Sequence, residues 1–147
     1  MLVNPRKSVR NVNFDCLHQR QGHHDITADI DLVHLDPVLR VCLLVDFKYA
    51  AGYRGMSAGQ RELYEHTASA MTAGGIQTVA VIALHSDDVY ETPDIDAAGA
   101  VVHEVFEPGA GRWLRPRTDI LLPDFCDDFK SRVQRTRADE MLRRIRH

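Results

Sequence analysis

The apolar positions of this chain change their spacing several times, and each change marks an element. Residues 8–19 place Val9, Val12 and Leu17, with Phe14 beside them, at helical intervals, which predicts a short first helix. Gln21-Gly22-His23-His24 breaks that pattern. Residues 26–35 alternate loosely and read as a strand. Asp36-Pro37 then marks a turn, because proline presets its own backbone angle and aspartate bonds its own backbone. Residues 38–47 are rich in Val and Leu and predict a buried strand, so the two strands form an antiparallel hairpin. A loop with two glycines and two tyrosines covers 48–56.

Ser57 follows as a helix N-cap, with Gln60 at the capping-box position. This helix is expected to reach Ala73 and stop at Gly74-Gly75, with Leu63, Thr67, Ala70 and Met71 as its apolar stripe. Residues 77–84 predict another buried strand, which makes the helix a crossover. Residues 86–96 are polar and loop-like, and 100–106 read as a strand. A glycine-rich turn at 107–111 leads to a short return strand at 112–114, and 121–145 has helical character. Helices interleaved with strands predict one α/β domain over 1–147, a central mixed β-sheet flanked by helices. A chain of 147 residues buries a core without help from disulfides or a structural metal.

Composition narrows the classes. Hydrophobic residues at 44% and charged residues at 27% are ordinary for a globular protein. No apolar run approaches a membrane span, and residues 1–7 lack the apolar core of a secretory signal, so no membrane partner is expected. Cys16, Cys42 and Cys126 fit neither a disulfide framework nor a zinc motif, which points to a reducing, cytoplasmic setting. The net charge of −3 is unevenly spread. Residues 130–147 carry seven Lys and Arg against two acids, a net of +5, which leaves −8 on the rest. A basic C-terminal helix, about 121–147, on an acidic body is suited to a phosphate backbone; the alternative is a solvated helix face.

The chemistry gathers at Asp29-Ile30-Asp31 and Asp46-Phe47-Lys48. In strands, residues i and i+2 share a face, so Asp29 pairs with Asp31 and Asp46 with Lys48. Carboxylates that meet repel unless a cation lies between them, and a lysine beside that cation orients or activates water. Asp46 also ends a nearly continuous apolar run, 41–45, where an acid is costly unless it meets water, a partner or a metal. Local readings compete: a lone D-x-K is common at strand edges, Gln60 serves as a cap, and Tyr64 serves as packing. Isolated histidines at 34, 66, 85 and 103 read as surface or hydrogen-bonded core residues, and Trp113 as a core residue. No metalloprotease helix motif or phosphate loop is present.

The phrase Asp29-Ile30-Asp31-Leu32-Val33, followed by Leu43-Leu44-Val45-Asp46-Phe47-Lys48, resembles the catalytic hairpin of the PD-(D/E)xK nuclease superfamily. Gln60-Arg61-Glu62-Leu63-Tyr64 is similar to the Q-x-x-x-Y helix of its RecB-like members. The resemblance covers roughly residues 25–84. It implies a restriction-endonuclease-like fold and a Mg²⁺-dependent nuclease acting on DNA, with Mn²⁺ as a substitute ion. Asp31, Asp46 and the backbone carbonyl of Phe47 would then bind metal, with Asp29 as a further candidate. Lys48 would assist water attack, and Gln60 and Tyr64 would order the site or contact substrate. Arg132, Arg135, Arg143, Arg144 and Arg146 would contact the DNA backbone. A homodimer or a larger nuclease assembly would let two sites cut two strands.

Two departures stand out. No proline precedes Asp31, and no glutamate lies before Glu62 to supply the family's first-helix ligand, so Asp15 or Asp29 would have to stand in. The rival expectation is a catalytically inactive protein of the same fold that binds a protein or nucleic acid.

Overall fold

Six consecutive buried residues, Val41 to Asp46, set the architecture, because a strand apolar on both faces needs a layer on each side. The computed structural model describes residues 26, 28–86 and 95–146. The expected helix at 8–19, the break at 21–24 and most of the 86–96 segment lie outside the described residues. Strands β1 (Leu32–Asp36), β2 (Val41–Tyr49), β3 (Gln77–His85), β4 (Val101–Glu107) and β5 (Arg112–Leu114) form one sheet in sequence order. The β2–β3 pair is parallel and the other pairs are antiparallel. Helix α1 (Ala58–Ala73) is the crossover between the parallel strands, and α2 (Leu122–Arg146) closes the chain. The protein is therefore α/β, with a five-stranded mixed sheet flanked by helices.

Strand parity sorts the core into two layers. Val41, Leu43, Val45, Val79, Val81 and Ala83 meet Leu122, Phe125, Phe129 and Val133 of α2. Cys42, Leu44, Ala80 and Ile82 meet Tyr64 and Ala68 of α1, together with Met56 and Phe106. The helix stripe differs from expectation: Tyr64 and Ala68 are buried, Met71 packs beside them, and Ala70 is exposed. The expected stripe of Leu63, Thr67, Ala70 and Met71 is rotated toward Tyr64, a large ring whose hydroxyl finds a buried partner in the Val45 carbonyl.

The ends of α1 are fixed as the sequence predicts. Ser57 Oγ accepts from Gln60 N at 3.2 Å. At the other end Gly75 N donates to Thr72 O and Ile76 N to Met71 O, the pair of bonds that closes a Schellman motif. Gly75 has φ +99°, which an L side chain rarely adopts.

The β1–β2 turn is pinned by Asp36, whose Oδ1 accepts from Val38 N and Leu39 N. Arg137 of α2 reaches the same turn and donates to the carbonyls of Leu39 and Arg40. At its start, α2 is tied by Leu122 N to Ala100 O, next to Val101, which pairs with Leu84. Helix α2 therefore runs back along the sheet, from the C-terminal end of β3 to the N-terminal end of β2. Among the described residues, no helix is long and apolar enough to cross a membrane.

Candidate functional site

The predicted acids meet at the C-terminal half of β2, although not by the expected route. Asp29 and Asp31 lie before β1, which starts only at Leu32. The strand ends there because a side chain replaces the backbone ladder: Asp31 Oδ2 accepts from Phe47 N at 2.8 Å. Asp31 N donates to the Tyr64 hydroxyl at 3.3 Å, and that hydroxyl donates to Val45 O at 3.1 Å. Tyr64 is fully buried and joins α1, β2 and the Asp31 segment. It orders the site from within and faces no solvent, unlike a substrate contact. Asp29 is exposed; its charge, after burial, Asp46 and Asp31, helps raise the Tyr64 pKa.

Asp46 points to the α1 side, in line with Cys42 and Leu44. It is 1% exposed. Its Oδ2 lies 3.3 Å from Lys48 Nζ, but this buried oxygen makes no hydrogen bond within the described residues. Burial first, then the hydrogen bond and charge of Asp31, raise the Asp46 pKa from 3.8 to about 7, against the opposing pull of Lys48. Lys48 Nζ lies 3.4 Å from Gln60 Oε1, and that same oxygen lies 3.4 Å from Ser57 Oγ. Gln60 Oε1 is thus shared between the hydroxyl of the cap residue and the lysine.

These residues suit a hard divalent ion in part. A buried carboxylate oxygen without a hydrogen bond, beside a second carboxylate and an ammonium, is a donor set that suits a hard cation or a proton. Mg²⁺ takes one or two carboxylates, keeps several waters and accepts phosphate oxygens as ligands, so two acids suffice. Among the described residues no group of three His, Cys, Asp or Glu is suited to hold a metal, so Asp29 does not complete a triad.

The basic residues lie elsewhere. Arg137 binds the Arg40 end of β2, and six residues at about 3.3 Å each put Asp46 roughly 20 Å away along the strand. Arg143, Arg144 and Arg146 occupy the last turn of α2, beyond Arg137. Arg135 lines a cleft with Thr72, Gln77 and Glu107, at the same far end. Arg132 pairs with Glu107 at 3.6 Å and with Asp128 at 3.3 Å, and Lys130 pairs with Asp36 at 2.8 Å. These cations do not gather at the acids. Several of them fasten α2 to the sheet, the plainer reading of a charged helix.

Sequence reasoning passed over a polar cluster that shares a face with Asp46. Glu104 of β4 pairs with Arg61 of α1 at 3.3 Å, and Arg61 lies 4.9 Å from the centre of the Trp113 ring. Tyr53 packs edge-on against His103 at 5.2 Å. The His103-Glu104 pair inside an otherwise apolar strand, 101–106, was the available signal. His85 is buried with Nδ1 unpartnered and packs against Tyr49, on the opposite face. Compared with known proteins, the chain matches no family model, no curated protein and no solved structure.

Proposed function

We propose that the protein is a metal-dependent nuclease with a restriction-endonuclease-like core, which hydrolyses DNA phosphodiester bonds at Asp31, Asp46 and Lys48. The observation that carries this reading is the Asp46 carboxylate. It is buried at the end of the apolar run of β2, with an oxygen lacking a hydrogen bond, a second carboxyl against it and an ammonium at 3.3 Å. Such an arrangement is expensive to fold and supports a role in chemistry rather than in packing.

Asp31 and Asp46 would hold the ion, Mg²⁺ or Mn²⁺, with the Phe47 carbonyl as a further oxygen. When bound, the ion supplies neutralising charge at the phosphate and a more acidic water. Lys48 does the chain's own share: its ammonium, steadied by Gln60, can hold a water or an anionic phosphoryl oxygen as charge develops. Tyr64 keeps Asp31 in place against β2, so that the two carboxyls meet.

A second reading, a protein of the same fold that binds DNA or another protein without cutting, is favoured by one observation. Lys48 already offers Asp46 a counter-charge, so the site tolerates the absence of an ion better than two bare acids would. Incubation with supercoiled, linear, single-stranded and branched DNA, in Mg²⁺, Mn²⁺ or chelator, separates the two. Metal-dependent cutting lost in both Asp46→Ala and Lys48→Ala supports the hydrolase. Binding without cutting, unchanged by either substitution, supports the binding module.

A further inference from the structure

The register of the sheet places a second set of charges in the same row as Asp46. Asp46 pairs with Ile82 of β3, and Ile82 pairs with Glu104 of β4. Two strand spacings of about 4.8 Å separate Asp46 from Glu104 by roughly 10 Å. Both side chains lie on the α1 side of the sheet, since Ile82 packs in that layer and Glu104 meets Arg61 of α1.

Glu104 is a carboxylate shared by two guanidiniums, with the His103 ring beside it. Arg61 Nη1 lies 3.3 Å from Oε2; Arg115 Nε and His103 Nε2 lie 3.9 Å and 3.8 Å from Oε1. One carboxylate cannot neutralise two guanidiniums. Arg115 is 71% exposed, and residues 112–117 carry three arginines and no acid. On a body whose charge is otherwise negative, this is a short positive segment that shares a face with the candidate site.

The Arg61 guanidinium is also held in place. Trp113 supports its plane at 4.9 Å, Glu65 Oε1 accepts from Trp113 Nε1 at 2.7 Å, and Glu104 takes one edge. A guanidinium fixed by stacking and one edge contact keeps other N–H donors, in the planar fork that matches a phosphate. A separation of roughly 10 Å is on the scale of neighbouring phosphates of one strand, so a strand held at the acids can present its next phosphates to this face.

We propose that Arg61 and Arg115, gathered on Glu104, contact DNA phosphates. The bound strand would then cross the sheet from Lys48 toward β5 and not follow the C-terminal helix. The inference rests on the hydrolase reading in taking DNA as the ligand. It replaces the C-terminal arginines with a set lying on the same face as the acids.

The test is anisotropy of a labelled single-stranded oligonucleotide, titrated across a salt series in chelator, where nothing is cut. Each phosphate contact contributes about 0.7 to the slope of log affinity against log salt on single strands. Arg115→Ala is expected to lower the slope by about 0.7, and Arg61→Ala with Arg115→Ala by about 1.4. Arg61→Lys is expected to keep the slope while weakening binding, because charge survives and the fork does not. Arg143→Ala with Arg144→Ala should leave the slope unchanged. Arg115 is exposed, so its variant tests the idea even where Arg61→Ala fails to fold. The proposal is overturned if the wild type does not bind, or if the slope drops in the Arg143/Arg144 variant and not in the Arg61/Arg115 variant. A wild type that binds with this pattern and never cuts would keep the phosphate path and lose the hydrolase.

Discussion

Asp46 should make this protein less stable as pH rises, opposite to the usual carboxylate. Its pKa is raised from 3.8 to about 7, chiefly by burial and then by Asp31. Between those values the native chain keeps a proton that the unfolded chain has released. The unfolded state binds one proton fewer, so stability falls by about 1.4 kcal/mol per pH unit across that window. The contribution is complete below 3.8 and lost once pH passes about 7. Over roughly three units the change is on the order of 4 kcal/mol, a large share of a typical domain's stability.

Asp46→Asn isolates the effect. Asparagine has the shape of the protonated acid and no charge to desolvate. Half-buried Asp36, whose pKa is lowered first by the Leu39 N–H and then by Lys130, acts in the opposite sense and cancels in the comparison. Urea unfolding of wild type and variant at a series of pH values, in chelator, gives the difference directly. The two should be nearly equal near pH 4, and the variant should be more stable by roughly 4 kcal/mol above pH 8. Adding Mg²⁺ at the higher pH should recover stability in the wild type only, because the ion needs the ionised carboxylate. A difference that stays flat from pH 4 to 8 would mean Asp46 is ionised throughout, and the buried site described above would be wrong.

Other changes follow from single contacts. Tyr64→Phe removes the hydroxyl that links Asp31 N to Val45 O, and should cost about 1–2 kcal/mol in urea unfolding, with metal-dependent cutting reduced as Asp31 loosens. Gly75→Ala forces a side chain into φ +99°, with its Cβ 2.9 Å from Arg40 Nη2; a loss of about 1–2 kcal/mol by thermal unfolding is expected, chiefly from the backbone. Phe129→Ala empties a buried position under α2 and should cost about 3–5 kcal/mol in the same assay. Gln60→Ala removes the acceptor near Lys48 Nζ and leaves the Ser57 cap to the backbone N–H intact; cutting should fall more than stability.

What could be read from the sequence, and what could not, divides along one physical line. Local signals are carried by neighbouring residues: Ser57 and Gln60 cap α1, Gly74-Gly75 ends it, and Asp36-Pro37 turns the hairpin. The run ending in Asp46 was legible as a buried strand because its composition is apolar on both faces. Relations between distant segments were not legible. Nothing local to Asp31 says that its carboxylate takes the Phe47 N–H, so that β1 starts only at the next residue. Nothing local to Glu104 says that two pairings place it in the row of Asp46.

Charge shows the difference most sharply. A net of +5 over 130–147 is a property of a list, while a phosphate meets a place. Helix α2 starts near the site end of the sheet and runs away from it, so each further residue lies about 1.5 Å farther from the acids. The smaller group at Arg61 and Arg115 is weaker in count and stronger in position, because α1 begins where β2 ends. A crossover helix returns its first turn to the strand end that carries the acids. The topology alone therefore favours cations early in α1 over cations late in α2.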